Sequence, residues 1–158
     1  MKIAVGADHA GYALKDEIKR HLVSQGISVD DRGTKSNDSV DYPDFARAVG
    51  EEVTRHSADL GILVCGSGIG MAIAANKVPG VRAANVTDEY QAQMSREHNN
   101  ANVLALGARI LNAQQAIAIV DKWLSSSFAG GRHERRVQKI ADIERDEARE
   151  SKLSAEKS

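Results

Sequence analysis

Leu60-Gly-Ile-Leu-Val-Cys-Gly-Ser-Gly-Ile-Gly70 is the stretch whose reading decides the fold. Leu60 to Val64 form a short apolar run of the kind buried inside a parallel sheet. Gly66, Gly68 and Gly70 let the backbone turn sharply and bring its N–H groups close to a ligand. Met71 to Ala75 have helical composition, so those N–H groups also fall at the positive end of a helix. Cys65, the only cysteine of the chain, stands at the junction. A thiol in such a place can have a lowered pKa, which makes its thiolate available near neutral pH. One segment thus supplies a base and a cradle for an anion.

Outward from this stretch, strands and helices alternate. Lys2 to Gly6 read as a strand, then a helix near Tyr12 to Gln25 with Leu14, Ile18 and Leu22 on one face and Gly26 as its stop. Ile27 to Asp31 form the second strand. A polar loop, residues 33–41, leads to Pro43 in the first turn of a helix carrying Phe45, Val49 and Val53. After Leu60 to Cys65 come a fourth strand over Val81 to Val86, a helix between Asp88 and His98, and a fifth strand at Val103 to Leu106. Asn112 caps a helix through Leu124, with Ala116, Ile117, Val120 and Leu124 facing inward. A last helix starts near Arg132 with Val137, Ile140 and Ile143; beyond Glu144 the charged composition predicts fraying.

This order predicts an α/β fold, a parallel sheet with right-handed crossovers and helices on both faces. Ligands of such folds bind at the carboxyl ends of the strands. Asp8-His9, Cys65 to Gly70 and Gly107 to Arg109 should therefore open on one edge.

The chain's 158 residues suit one domain with a real core. Aromatics make up only 4% of residues, so Ala, Val, Ile and Leu must build that core. A formal net charge of −1 gives no general attraction to nucleic acid or to an anionic membrane. A single cysteine excludes an intrachain disulfide and fits a reducing compartment. Lys2 is followed at once by a strand, which leaves no secretory leader. The uncharged run 60–76 holds four glycines and falls short of the ~20 apolar residues of a membrane span. These features predict a cytoplasmic protein.

Each candidate functional residue also has a plainer reading. Unpaired cysteines are most often small buried hydrophobes, but the strand end before three glycines favours chemistry for Cys65. Gly-x-Gly-x-Gly fails the dinucleotide pattern and lacks the Lys and Ser/Thr of a P-loop, which leaves a cradle for a smaller anion. Asp8 can simply cap the next helix, and His98 can favour a helix C-terminus. Asp8-His9 has no neighbours at the spacing of a metal-ligand set. His21, His56 and His133 read as surface residues. Arg132, Arg135 and Arg136 open a helix where positive charge opposes the dipole, which points to an anionic partner, although a solvated face is the alternative. Arg109 carries the same two readings.

Taken together, these residues are specific. Gly-Ala-Asp-His-Ala-Gly (6–11), Asp-Tyr-Pro-Asp (41–44), Cys-Gly-Ser-Gly-Ile-Gly (65–70), Ala-Ala-Asn-Lys (74–77), Glu-His-Asn-Asn-Ala-Asn (97–102) and Gly-Gly-Arg-His (130–133) resemble ribose-5-phosphate isomerases of the B type. The resemblance runs from Met1 to about Ile143 and leaves only the tail, 144–158, outside one isomerase domain, 1–143. The wider family includes galactose-6-phosphate isomerase subunits and allose-6-phosphate isomerases.

The resemblance implies a three-layer sandwich with a five-stranded parallel sheet of flavodoxin-like (Rossmann-type) topology. It also implies a homodimer with sites between subunits, with room for a higher oligomer, and no membrane or nucleic-acid partner. The implied reaction is the cofactor-free, metal-free interconversion of ribose 5-phosphate and ribulose 5-phosphate, a step of the pentose phosphate pathway. In that scheme Cys65 moves the proton between C2 and C1, and the N–H groups of Gly66, Ser67, Gly68, Ile69 and Gly70 hold the enediolate oxygen. Ser67 and Asp8 serve the sugar hydroxyls and ring opening, with His98 as proton donor from the other subunit and Asn99 beside it. His9, Arg132 and Arg136 hold the phosphate, Arg109 reaches the substrate and Tyr42 lines the pocket.

Ser67 stands where many relatives carry Thr and keeps the hydroxyl. Met71 stands where others place a Glu base, so this chain resembles the cysteine branch. Two alternatives remain at this stage: the same chemistry on a hexose 6-phosphate, and a non-catalytic phosphosugar- or nucleotide-binding module.

Overall fold

The computed structural model describes residues 1–158. Five strands, β1 (Lys2–Ala7), β2 (Ser28–Asp31), β3 (Leu60–Cys65), β4 (Ala83–Asn85) and β5 (Val103–Gly107), form one parallel sheet. Six helices accompany them: α1 (Tyr12–Ser24), α2 (Tyr42–Thr54), α3 (Ile69–Ala75), α4 (Glu89–Glu97), α5 (Ala113–Ser125) and α6 (Arg132–Lys157). Strands consecutive in the chain are each joined through one helix, and the pairs β1–β3 and β3–β5 enclose a further strand between them in sequence, as the long crossovers of parallel pairing allow.

The three layers are as expected, but the strand order is β2-β1-β3-β5-β4. A flavodoxin-like sheet would run 2-1-3-4-5, so the last two strands are exchanged. Burial explains the exchange. Val103 to Gly107 are buried throughout and tolerate neighbours on both sides, whereas Ala83–Asn85 is only three residues long, half exposed, and fits an edge.

Two apolar clusters hold the layers together. On one face Leu14, Ile18 and Leu22 of α1 and Ile119, Val120 and Trp123 of α5 pack against Ile3, Val5, Ile62 and Leu104. On the other, Val49 and Val53 of α2 and Met71 and Ala75 of α3 pack against Ala4, Leu63 and Ala105. Burying each large aliphatic side chain contributes about 1.5–3 kcal/mol. The inward stripe of α5 is Ala116, Ile119, Val120 and Trp123, rotated from the expected one so that Trp123 is fully buried; Ile117 and Leu124 are only partly covered. Asn112 caps this helix in a reciprocal box with Gln115, at 2.8 and 2.9 Å.

α6 lies outside both clusters and buries no side chain. It nevertheless continues to Lys157, past the expected fraying point at Glu144. Residues 132–157 hold no Gly or Pro, and Gln138, Asp142 and Arg145 pair at helical spacing. Glu144 also accepts the Gly80 N–H at 3.0 Å. No helix is long and apolar enough to cross a membrane.

Candidate active site

The carboxyl ends of β1, β3 and β5 open on one edge, and a cleft of about 580 Å³ lies there, within the size range of small-molecule sites. β1 and β3 are adjacent, but the chain winds outward from them in opposite directions, the switch point where open sheets bind ligands.

Cys65 is buried at the last position of β3 and lines the cleft. Its Sγ accepts the Gly68 N–H at 3.2 Å, so the positive end of a peptide dipole faces the sulfur. Gly68 reaches that position at φ +82°, and a Cβ there would stand 2.5 Å from Asn85 Oδ1 and 3.0 Å from the Leu106 carbonyl carbon. Only glycine meets both demands. Helix α3 starts at Ile69, two residues before the expected Met71, with Gly68 as its cap. Ile69 N–H is taken by Ser67 Oγ at 3.2 Å. The N–H groups of Gly66, Ser67 and Gly70 make no hydrogen bond within the chain and are the loop donors left for a ligand.

Asp8 enters from β1. It is no helix cap in the strict sense, since α1 begins after Gly11. One carboxylate oxygen accepts the N–H groups of Ala10 and Gly11, both at 3.0 Å, which fixes the buried side chain at the cleft. His9 lies beside it, outside the lining; its Nδ1 accepts the Val40 N–H at 3.2 Å, which leaves Nε2 as the ring's donor. From β5, Arg109 packs over Gly66, and its N–H bonds the Gly66 carbonyl at 3.0 Å. Tyr42 lays its ring over Gly70, where an added Cβ would come within 2.7 Å. Ile69 also lines the cleft.

Two lining residues escape the sequence reading, Ile73 and Ile110, exposed by 59% and 58%. A signal for Ile73 was present: it follows Ile69 by one helical turn, so the two share a face.

His98, Asn99, Arg132 and Arg136 are absent from the cleft of one chain. They form a second group around the end of α4 and the start of α6. His98 stacks on His133, with ring centroids 4.2 Å apart. Asn99 lines a separate groove between Asn76, Lys77 and Arg82 on one side and Ile140 and Ile143 of α6 on the other. Two guanidiniums hold the turn between them: Arg82 Nε donates to the Asn100 carbonyl at 3.0 Å, and Arg96 donates to the Ala101 carbonyl. Burial holds both arginines below their ordinary pKa; nearby Glu144 partly offsets this for Arg82, and the charge of Arg82 adds to it for Arg96.

The cleft therefore offers one cation, Arg109, against the Asp8 carboxylate. It holds a free thiol, unpaired N–H donors and a carboxylate within one small space. That set suits moving a proton on a carbon acid whose anion the N–H groups stabilise. No group of three or more His, Cys, Asp or Glu side chains is placed to hold a metal ion.

Comparison with known proteins gives a consistent answer. The family profile described as Ribose/Galactose Isomerase matches residues 3–140. Ribose-5-phosphate isomerase B of Escherichia coli K12 is 49% identical over 143 residues, 90% of this chain and 96% of that protein. The structure of Clostridium thermocellum ribose-5-phosphate isomerase B superposes with a TM-score of 0.92 at 55% identity, covering 92% of this chain and 99% of that one. That of the Mycoplasma genitalium protein, which has ribulose-5-phosphate bound, gives 0.88 at 45% identity, covering 91% and 96%.

Proposed function

The chain belongs to the ribose/galactose isomerase family, and from that premise we propose that it interconverts D-ribose 5-phosphate and D-ribulose 5-phosphate through an enediolate. The observation that carries the reading is the Cys65 sulfur, at the floor of a cleft whose loop presents unpaired N–H groups.

The C–H beside a carbonyl is a weak acid, so a base gains little unless the charge passed to oxygen is stabilised. The Cys65 thiolate takes the proton from C2, and negative charge moves to the C1 oxygen. Gly66, Ser67 and Gly70 donate their N–H groups to that oxygen, while Gly68 N–H steadies the sulfur. O1 gains a proton as O2 loses one, and the Cys65 thiol returns its proton to C1, which leaves a ketone at C2. Ribose 5-phosphate must first open its ring: Asp8 and Ser67 attend the hydroxyls, and His98 protonates the ring oxygen. The phosphate is remote from the reacting carbons, and binding it holds C1 and C2 against Cys65. His9, Arg132 and Arg136 fill that role, with Arg109, Asn99 and Tyr42 completing the contacts.

The division of these residues supports a homodimer. A cleft with one cation poorly balances a phosphate dianion, while two arginines and a histidine stand idle in the second group. Exposed Ile69, Ile73, Ile110 and Tyr42 rim the cleft, and α6 buries nothing of its own. A second copy bringing His98, Asn99, Arg132 and Arg136 to the cleft would complete the site and cover the apolar rim. Residues 1–143 are the catalytic unit and 144–158 an appendage to it. The lone thiol and the phosphorylated substrate support a cytoplasmic location.

The test is conversion of ribose 5-phosphate by the parent and by Cys65→Ala, with EDTA present. Cys65→Ala should lower kcat by about 100- to 10,000-fold, the usual worth of a positioned base. A variant at parent rate would move the base elsewhere; a parent inactive on ribose 5-phosphate but active on allose 6-phosphate would move the substrate to the hexoses.

A further inference from the structure

His133 has no task in the chemistry above, and the motif it closes, Gly130-Gly-Arg-His133, is used only through Arg132. Its ring nevertheless lies flat on that of His98, with centroids 4.2 Å apart and planes 11° from parallel. The backbone sets this contact. Ala129 N–H donates to the Glu97 carbonyl at 3.0 Å, which ties the approach to α6 to the last turn of α4, one residue before His98. Gly130 and Gly131 then adopt φ of +68° and +56°, a left-handed path that side chains disfavour. Their turn starts α6 over the end of α4, and His133 N–H closes it on the Gly130 carbonyl at 3.1 Å.

The charges around the pair are mostly positive. Arg132 and Arg136 flank His133 on α6, where Glu134 and Arg135 also sit. On α4, Glu97 is engaged by Gln93 at 2.7 Å and Arg96 by the Ala101 carbonyl. The one histidine in an ion pair is His21, with Asp121. Lost hydration, then the charges of His98, Arg132 and Arg136, lower the pKa of His133 below its ordinary value. Two imidazolium rings face to face repel.

Resting on the reading of His98 as proton donor, we infer that His133 is its positioning residue: a flat plate that fixes the plane of the donor ring.

Three variants test this: His133→Phe, His133→Ala and His133→Lys, each with kcat, KM, the pH profile of kcat and an NMR titration of the His98 ring. His133→Phe keeps a plate that cannot ionise and should retain most of kcat. His133→Ala should lose about tenfold in kcat, with KM for ribose 5-phosphate little changed, as expected for a loosened general acid. His133→Lys should move the His98 titration, and the high-pH fall of kcat with it, to lower pH, because a cation disfavours imidazolium. His133→Ala at the parent kcat would overturn the inference. So would a rise in KM at unchanged kcat in both Ala and Phe variants, which would make His133 a phosphate ligand. His98→Ala at parent kcat would instead remove the donor reading, and the inference with it.

Discussion

Lys15→Met is the perturbation whose cost the structure defines best. Lys15 lies in α1 with its side chain 1% exposed. Its Nζ donates to both oxygens of Asp31, at 2.8 and 2.9 Å, and to the Thr34 carbonyl at 2.8 Å. Methionine keeps the length and the apolar contacts of the stem and deletes only the ammonium. Asp31, 14% exposed, is then left with Lys19, at 3.1 Å and 40% exposed, and with the Gly33 N–H. Breaking one side of a buried pair costs about 3–5 kcal/mol. Because Lys19 keeps part of the attraction, we expect about 3 kcal/mol, and so a fall of roughly 6–12 °C in Tm for a domain of this size. Urea unfolding followed by the fluorescence of Trp123, the one tryptophan and fully buried, measures it directly. Acid gives an independent check. Burial works to raise the Asp31 pKa, but the hydrogen bonds from Lys15, Gly33 and Lys19 outweigh it and hold the carboxyl below its ordinary value. A depressed folded pKa stabilises the protein above the unfolded value and ceases to do so as pH falls through the folded one. The gap between parent and variant should therefore narrow in acid. A cost below about 1 kcal/mol at neutral pH, the size of an exposed ion pair, would refute this account; so would a gap that acid leaves unchanged.

Gly68→Ala must hold a left-handed residue, at about 1–2 kcal/mol, and push against the Leu106 backbone. The bond to Cys65 Sγ should lengthen and kcat collapse beyond what urea unfolding accounts for; a fully active variant would dissociate the loop geometry from catalysis. Arg132→Ala and Arg136→Ala should weaken binding of ribose 5-phosphate far more than that of free ribose in calorimetry, and equal losses for both ligands would remove their phosphate role.

Much of this was legible because it is local. The strand-to-glycine switch at Cys65, the Leu14-Ile18-Leu22 stripe and the Asn112 cap each need only neighbouring residues, and each stands as read. The exchange of β4 and β5 depends on which strand the centre of the sheet accepts, a comparison of burial across the molecule. The α5 stripe was misread by a fraction of a turn because Ile117 and Leu124 are as apolar as Ile119 and Trp123. Lys15 gave no signal, since one lysine among the charged residues of α1 reads as solvated until Asp31 is brought to it. His133 read as a surface residue because its partner lies 35 positions earlier in the chain. The separation of His98, Asn99, Arg132 and Arg136 from the cleft is likewise a fact of three dimensions.

The two rims of the sheet have a consequence for self-association. A bare strand edge is a template on which a second sheet can grow, and proteins that leave one long and apolar tend to aggregate. Here the β2 rim ends in Asp30-Asp31, and the β4 rim offers only three residues before the chain turns away. Both rims give short ladders, four residues in the first and three in the second. Copies of this chain are thereby steered away from backbone-to-backbone growth, and any lasting contact between them must be made by side chains, on surfaces where the sequence can choose its partner.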